Sequence, residues 1–163
     1  MRTGPEELTD RRAARVLLVD ATDRLLLFHG SDPRRPDLGS WWFTPGGGLD
    51  AGEDARAAAV RELAEETGLV LAPDALGEVV HERVAHFHFA GTGYRQAEVY
   101  FLVRVDRHEV DTAGFTEVEV ASVHGSRWWA RSELATTAER VYPVELGDVL
   151  DRLLHGGSPG APP

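Results

Sequence analysis

The 163-residue chain contains no cysteine, and none of its 17 basic side chains is a lysine; all are arginine. The first absence excludes disulfides, thiolate metal sites and cysteine nucleophiles. The second excludes the GxxxxGK[ST] phosphate loop, whose lysine cannot be supplied. No apolar run approaches the roughly 20 residues that span a bilayer. The start, Met1 to Asp10, lacks the apolar stretch of a secretion signal. The expectation is therefore a cytoplasmic protein with no membrane partner. Basic charge is also short, 17 against 27 acidic side chains for a net −10. That balance repels a long polyanion and argues against an extended nucleic-acid partner. A small phosphorylated ligand stays compatible, because clustered carboxylates recruit divalent cations that reverse the local sign.

What is present suits one α/β domain, with 42% hydrophobic and 27% charged residues. Arg15 to Asp20 and Leu25 to His29, separated by Ala21-Thr22-Asp23-Arg24, read as a strand, tight turn and strand. Ser31 to Ser40 holds two prolines and reads as a loop before Trp41-Trp42-Phe43, and Pro45-Gly46-Gly47-Gly48 reads as a strand stop. Asp54 caps a helix over Ala55 to Thr67 that stops at Gly68. Gly77 to Ala90 and Arg95 to Val105 form a second hairpin around Gly91 to Tyr94. Asp106 to Ser126 reads as a loop with a short strand near Val118 to Val123, and Arg127 to Ala130 as a strand. Ser132 caps a brief helix over Leu134 to Glu139, and Val144 to His155 forms a packing helix. Residues 1–10 are expected to be an extension, 11–155 the domain and 156–163 a disordered tail.

The central helix carries the chemistry. With about 100° per residue, Val60, Leu63, Ala64 and Thr67 share one face, and Glu62, Glu65 and Glu66 crowd the other. Like charges at i,i+3 and i,i+4 repel by a few tenths of a kcal/mol per pair, so a positive partner is expected. Two answers are open: Arg61 and water on a solvated face, or a divalent cation held by oxygen ligands. Just upstream, Gly46-Gly47-Gly48 permits close backbone approach and could deliver a carbonyl to the acids.

Gly47 to Leu69 resembles the signature of the Nudix hydrolase superfamily, G-x5-E-x7-R-E-U-x-E-E-x-G-U. Every specified position matches: Gly47, Glu53, Arg61, Glu62, Leu63, Glu65, Glu66, Gly68 and Leu69. At ordinary residue frequencies such a match has odds on the order of 10⁻⁹. Phe43-Thr44-Pro45, Arg127-Trp128-Trp129 and Glu133-Leu134 are similar to many members. The resemblance implies an α/β/α sandwich around a mixed sheet, and water attack on a diphosphate of a nucleoside diphosphate derivative. It implies Mg²⁺ or Mn²⁺ held by Glu62, Glu65, Glu66 and the Gly46 carbonyl, with Arg61 and Glu53 as the orienting pair. The general base varies in the family: Glu62 or Glu65 in the motif, or a later acid, of which Glu119 is favoured over Glu117 and Glu98. A nucleotide-binding sensor without catalysis is the rival, although such members lose motif acids and none is lost here. The isoprenoid-diphosphate isomerases of this fold use a cysteine, which is absent. His86 and His88 read as half-buried strand packing, and Trp41, Trp42, Phe87, Phe89 and Tyr94 as core or base-stacking aromatics. The substrate is a small diphosphate, and a homodimer is left open.

Overall fold

A computed structural model describes residues 6–155. The strands are β1 (Thr9–Val19), β2 (Leu25–Ser31), β3 (Ser40–Phe43), β4 (Gly46–Gly48), β5 (Val79–Phe89), β6 (Thr92–Arg104), β7 (Val123–Trp129) and β8 (Val141–Tyr142). The helices are α1 (Ala55–Thr67), α2 (Glu117–Ser122), α3 (Arg131–Thr136) and α4 (Leu146–Leu154). All eight strands join one mixed sheet, in the order β5-β6-β1-β2-β3-β8, with β4 branching from β1 and β7 from β2. The pairs β1–β6 and β3–β8 are parallel; the others are antiparallel.

Strand alternation sends β1 into two cores. Ala14, Val16 and Leu18 pack with Ala58, Ala59 and Leu63 of α1, with Phe101 and Val103 of β6 beside them. Leu17 and Val19 pack on the opposite face with Tyr100, Trp129 and Leu146, Val149 and Leu150 of α4. A sheet apolar on both faces and covered by a helix on each is the α/β/α sandwich expected. The α4 face is covered only in part. Toward the start of β1, beyond the reach of α4, the same face carries Arg15, Arg11, Glu98 and Gln96, and these line an open cleft of about 850 Å³.

Several boundaries differ from the sequence expectation for identifiable reasons. β1 begins at Thr9, inside the expected extension, because its first residues pair with Tyr94 and Arg95. Gly46 to Gly48 does not stop a strand; it is one, paired antiparallel to Ala13–Arg15. The second hairpin turns tightly at Ala90-Gly91, both at positive φ, so β6 starts at Thr92, inside the expected turn, whereas β5 is shorter than expected at both ends. The expected loop and short strand around Val118 are instead α2, opened by a capping box in which Thr116 and Glu119 satisfy each other's backbone N–H groups. Ser132 caps nothing: α3 starts at Arg131, where the Glu133 carboxylate accepts the Ala130 N–H. His86 and His88 are exposed rather than half-buried, His88 paired with Glu6 at 2.6 Å. The expected tail lies outside the described residues. No described helix is long and apolar enough to cross a membrane.

Candidate active site

α1 forms where the sequence expects it. Asp54 accepts the Ala57 N–H at its start, and Gly68 ends it at φ 76°. Its buried side is wider than the apolar stripe, because Glu66 is buried as well, with only 4% of its surface exposed. Glu66 points at β4, where one carboxylate oxygen accepts the Gly46 N–H at 3.1 Å. The glycines make this approach possible. A Cβ on Gly47 would stand 2.6 Å from Glu62 Oε1, and one on Gly46, at φ 137°, 2.2 Å from the Ala14 carbonyl.

Glu62, Glu66 and Glu119 place one carboxylate oxygen each within 4.8 Å of one another. Glu119 comes from α2, more than 50 residues downstream, and its backbone-anchored capping box holds it there: Glu119 Oε1 accepts the Thr116 N–H at 3.1 Å. Glu65 lies outside this group of three, its carboxylate 3.4 Å from Arg61 and more exposed than Glu62. The Gly46 carbonyl accepts a weak hydrogen bond from Arg15 Nη1 at 3.3 Å. Glu117 is exposed and outside the group of three.

Arg61 organises the motif. Its guanidinium donates to Glu53 at 2.9 and 2.8 Å, to Glu62 at 3.0 Å and to the Gly48 carbonyl at 3.1 Å. The hydrogen bonds from Arg61 and the Asp50 N–H hold the Glu53 carboxyl down at about 2. Glu66 responds oppositely: burial first, and then the neighbouring Glu62 carboxylate, push its pKa well above the usual carboxylate range. Glu65 is raised as well, by desolvation and the Glu62 charge. Among the described residues no ion pair within 4.0 Å reaches Glu66 or Glu119. Carboxylates converging here with one arginine on one of them make an oxygen-rich site short of positive charge, which fits a small hard divalent cation.

The cleft beside this cluster is lined by Arg11, Arg15, Arg83 and Arg140. Arg15 links the two regions, donating to the Thr44 and Gly46 carbonyls and lying 3.9 Å from Glu98. Glu98, 3% exposed, accepts from Tyr100 Oη at 2.5 Å, Gln96 Nε2 at 3.0 Å and Arg83 at 3.3 and 3.4 Å. Burial would raise its pKa, but Arg15, the Tyr100 hydroxyl and Arg83 together lower it. Of the expected aromatics, Trp41, Phe87, Phe89 and Tyr94 line the cleft, whereas Trp42 is core. Arg15, Arg83 and Gln96 were not expected from the sequence. Their only signal was a polar residue interrupting strands whose neighbours alternate apolar.

The fold and this motif geometry define a Nudix-type domain. A family model described as NUDIX domain matches residues 9–147, and the chain belongs to that family. It is 37% identical over 95 residues to a Mycobacterium tuberculosis protein named "Putative 8-oxo-dGTP diphosphatase 2", covering 58% of this chain and 65% of that one. It is 41% identical over 61 residues to an RNA pyrophosphohydrolase of Dinoroseobacter shibae, covering 37% and 36%. The chain thus spans less than two thirds of these curated relatives. The MutT protein of Methanosarcina mazei shares the fold, with a TM-score of 0.63 at 17% identity over 91% of this chain and 95% of that one. So does a bifunctional NMN adenylyltransferase/ADP ribose pyrophosphatase of Francisella tularensis complexed with AMP and a Mn ion, at 0.61 and 19%, over 93% of this chain and 43% of that one.

Proposed function

We propose that this protein is a divalent-cation-dependent hydrolase that cleaves a diphosphate linkage in a nucleoside diphosphate derivative by water attack on phosphorus. The observation that carries the reading is the convergence of Glu62, Glu66 and Glu119 beside an arginine-lined cleft. The names of the relatives agree with it, since they describe an 8-oxo-dGTP diphosphatase, an RNA pyrophosphohydrolase and an ADP ribose pyrophosphatase.

Glu62 and Glu66 would hold Mg²⁺ or Mn²⁺ from α1, with Glu65 and the Gly46 carbonyl as the further ligands that the motif implies. Arg61, anchored on Glu53, aims Glu62; the Gly46 N–H aims Glu66. When bound, the cation offsets charge developing on the phosphoryl oxygens and lowers the pKa of coordinated water. Glu119 accepts the proton of the attacking water, held for that task by the Thr116 N–H. Arg11, Arg15 and Arg140 draw the anionic diphosphate into the cleft of a protein whose net charge is −10. The protein works as a soluble cytoplasmic enzyme, and single-nucleotide recognition suffices for it without extended nucleic-acid contacts.

The test is phosphorus NMR after incubation with Mg²⁺ or Mn²⁺ and a pool of nucleoside triphosphates, nucleotide sugars, ADP-ribose, dinucleotides and dinucleoside polyphosphates. Cleavage by the wild type and not by Glu66→Gln supports the hydrolase. Tight binding of one compound without turnover of any overturns it in favour of a nucleotide sensor.

A further inference from the structure

Gln96 is fully buried in β6, and its amide is half satisfied. Nε2 donates to Glu98 Oε1 at 3.0 Å, which fixes the orientation of the amide. Among the described residues, Oε1 has no hydrogen-bond donor. A buried carbonyl without a partner is costly, and such groups in a folded protein call for a reason. The geometry around Gln96 supplies one. Gln96 lines the cleft, and strand alternation puts Tyr94 on the same face of β6 two residues away. Tyr94 stands opposite Phe87 of β5, ring centroids 5.3 Å apart and tilted by 34°. Arg11, the register partner of Gln96 on β1, lies over the Tyr94 ring at 5.2 Å and occupies the face on which a flat ring would stack.

We propose that Gln96 Oε1 reads an N–H group of a planar nitrogen heterocycle that replaces Arg11 on the Tyr94 ring, making this end of the cleft a base-discriminating subsite. Three chemical requirements meet there: an aromatic surface for stacking, an oriented acceptor in a desolvated wall, and a movable cation over the ring. Arg15 lies between this end of the cleft and the acidic cluster, donating to the Gly46 carbonyl beside Glu66 and standing 3.9 Å from Glu98 beside Gln96. Glu98 accepts one hydrogen bond from the Gln96 amide, and Arg83 and Tyr100 hold Glu98 in turn, so the acceptor is fixed before any ligand arrives. The inference rests on reading the cleft as a nucleotide site, but not on hydrolysis.

The test is therefore binding, with EDTA present and no turnover possible. Guanosine, adenosine, cytidine and uridine 5′-monophosphates are titrated calorimetrically into the full chain, with ribose 5-phosphate as the base-free control. At least one nucleotide should bind about tenfold or more tighter than the control, and Gln96→Met should remove about tenfold of that advantage while leaving ribose 5-phosphate unchanged. If no nucleotide outbinds the control, or if Gln96→Met keeps the advantage or weakens both ligands equally, the proposal is overturned. Should Gln96→Met fail to fold, the wild type decides with N-methylated forms of the preferred nucleotide, at the ring nitrogen and at the exocyclic amine. One of these must lose about tenfold, and equal binding of all of them overturns the proposal. Base-dependent binding without cleavage of any diphosphate would remove the hydrolase reading and leave this subsite standing.

Discussion

Two glutamates of almost equal burial, Glu66 at 4% and Glu98 at 3% exposure, titrate in opposite directions. Desolvation acts on both. Glu98 answers it with two arginines, a tyrosine hydroxyl and an amide, whereas Glu66 has one backbone N–H and a second carboxylate beside it. Burial alone therefore does not mark a functional acid; the deficit of positive partners does. The Glu98 carboxylate has its cationic and hydrogen-bonding partners in place, and Glu66 has a deficit of positive charge that a cation would fill.

The largest expected effect breaks this contrast at its acidic end. Glu66→Gln keeps the shape and the Gly46 contact but removes the charge, and metal-dependent hydrolysis should fall by about 10³-fold. Measured by Mn²⁺ titration, cation affinity should fall with it. Activity within tenfold of wild type would show that Glu66 is a buried structural acid like Glu98. Glu119→Gln comes next, with kcat reduced by roughly 10²-fold as for loss of a general base. Cation affinity should stay within a few fold. Equal loss of cation affinity in the two variants would make Glu119 a ligand instead of the base.

At the other end, Glu98→Ala leaves Arg83 and Arg15 without their partner in a part-buried site. The expected cost is about 3 kcal/mol of stability, seen as a fall in Tm on the order of 10 °C. Activity per folded molecule should change far less than in Glu66→Gln. A stable Glu98→Ala protein with no activity would reverse the two assignments.

How much of this was legible in the sequence follows the same division. Glu53, Arg61, Glu62 and Glu66 were readable because one helix and one turn fix their spacing, and local geometry is what a pattern encodes. The arrival of Glu119 at the cluster depended on Thr116-Glu117-Val118-Glu119, a capping-box pattern inside a segment that reads as loop. Its hydrophobic signal is weak because Val118 and Val120 stay exposed. Gly46 to Gly48 reads as a strand stop because glycine is poor in strands; its backbone pairing with Ala13–Arg15 makes it a strand, and glycine is what lets Glu62 and Arg11 pack against it. The cleft floor was least legible. Gln96, Glu98 and Arg83 sit on two strands, and Arg15 on a third, and the antiparallel β5–β6 and parallel β1–β6 registers bring them together.

The smallest effect is the most direct comparison of the two glutamates, because both can be followed in one pH titration of the metal-free protein. The native pKa of Glu66 lies above the ordinary 4.5, so over that interval the native state binds more protons than the unfolded chain. Stability must then decline as pH rises from about 4.5 through the native value. The native pKa of Glu98 lies below 4.5, so its contribution is present above 4.5 and is lost as pH falls through the native value. Urea melts in EDTA should give a stability maximum between the two windows. Glu66→Gln should flatten the decline on the high-pH side while leaving the acid side in place, and Mn²⁺ added to the wild type should flatten it too. A high-pH decline that persists in Glu66→Gln would place the missing positive charge somewhere other than the site formed by Glu62, Glu66 and Glu119.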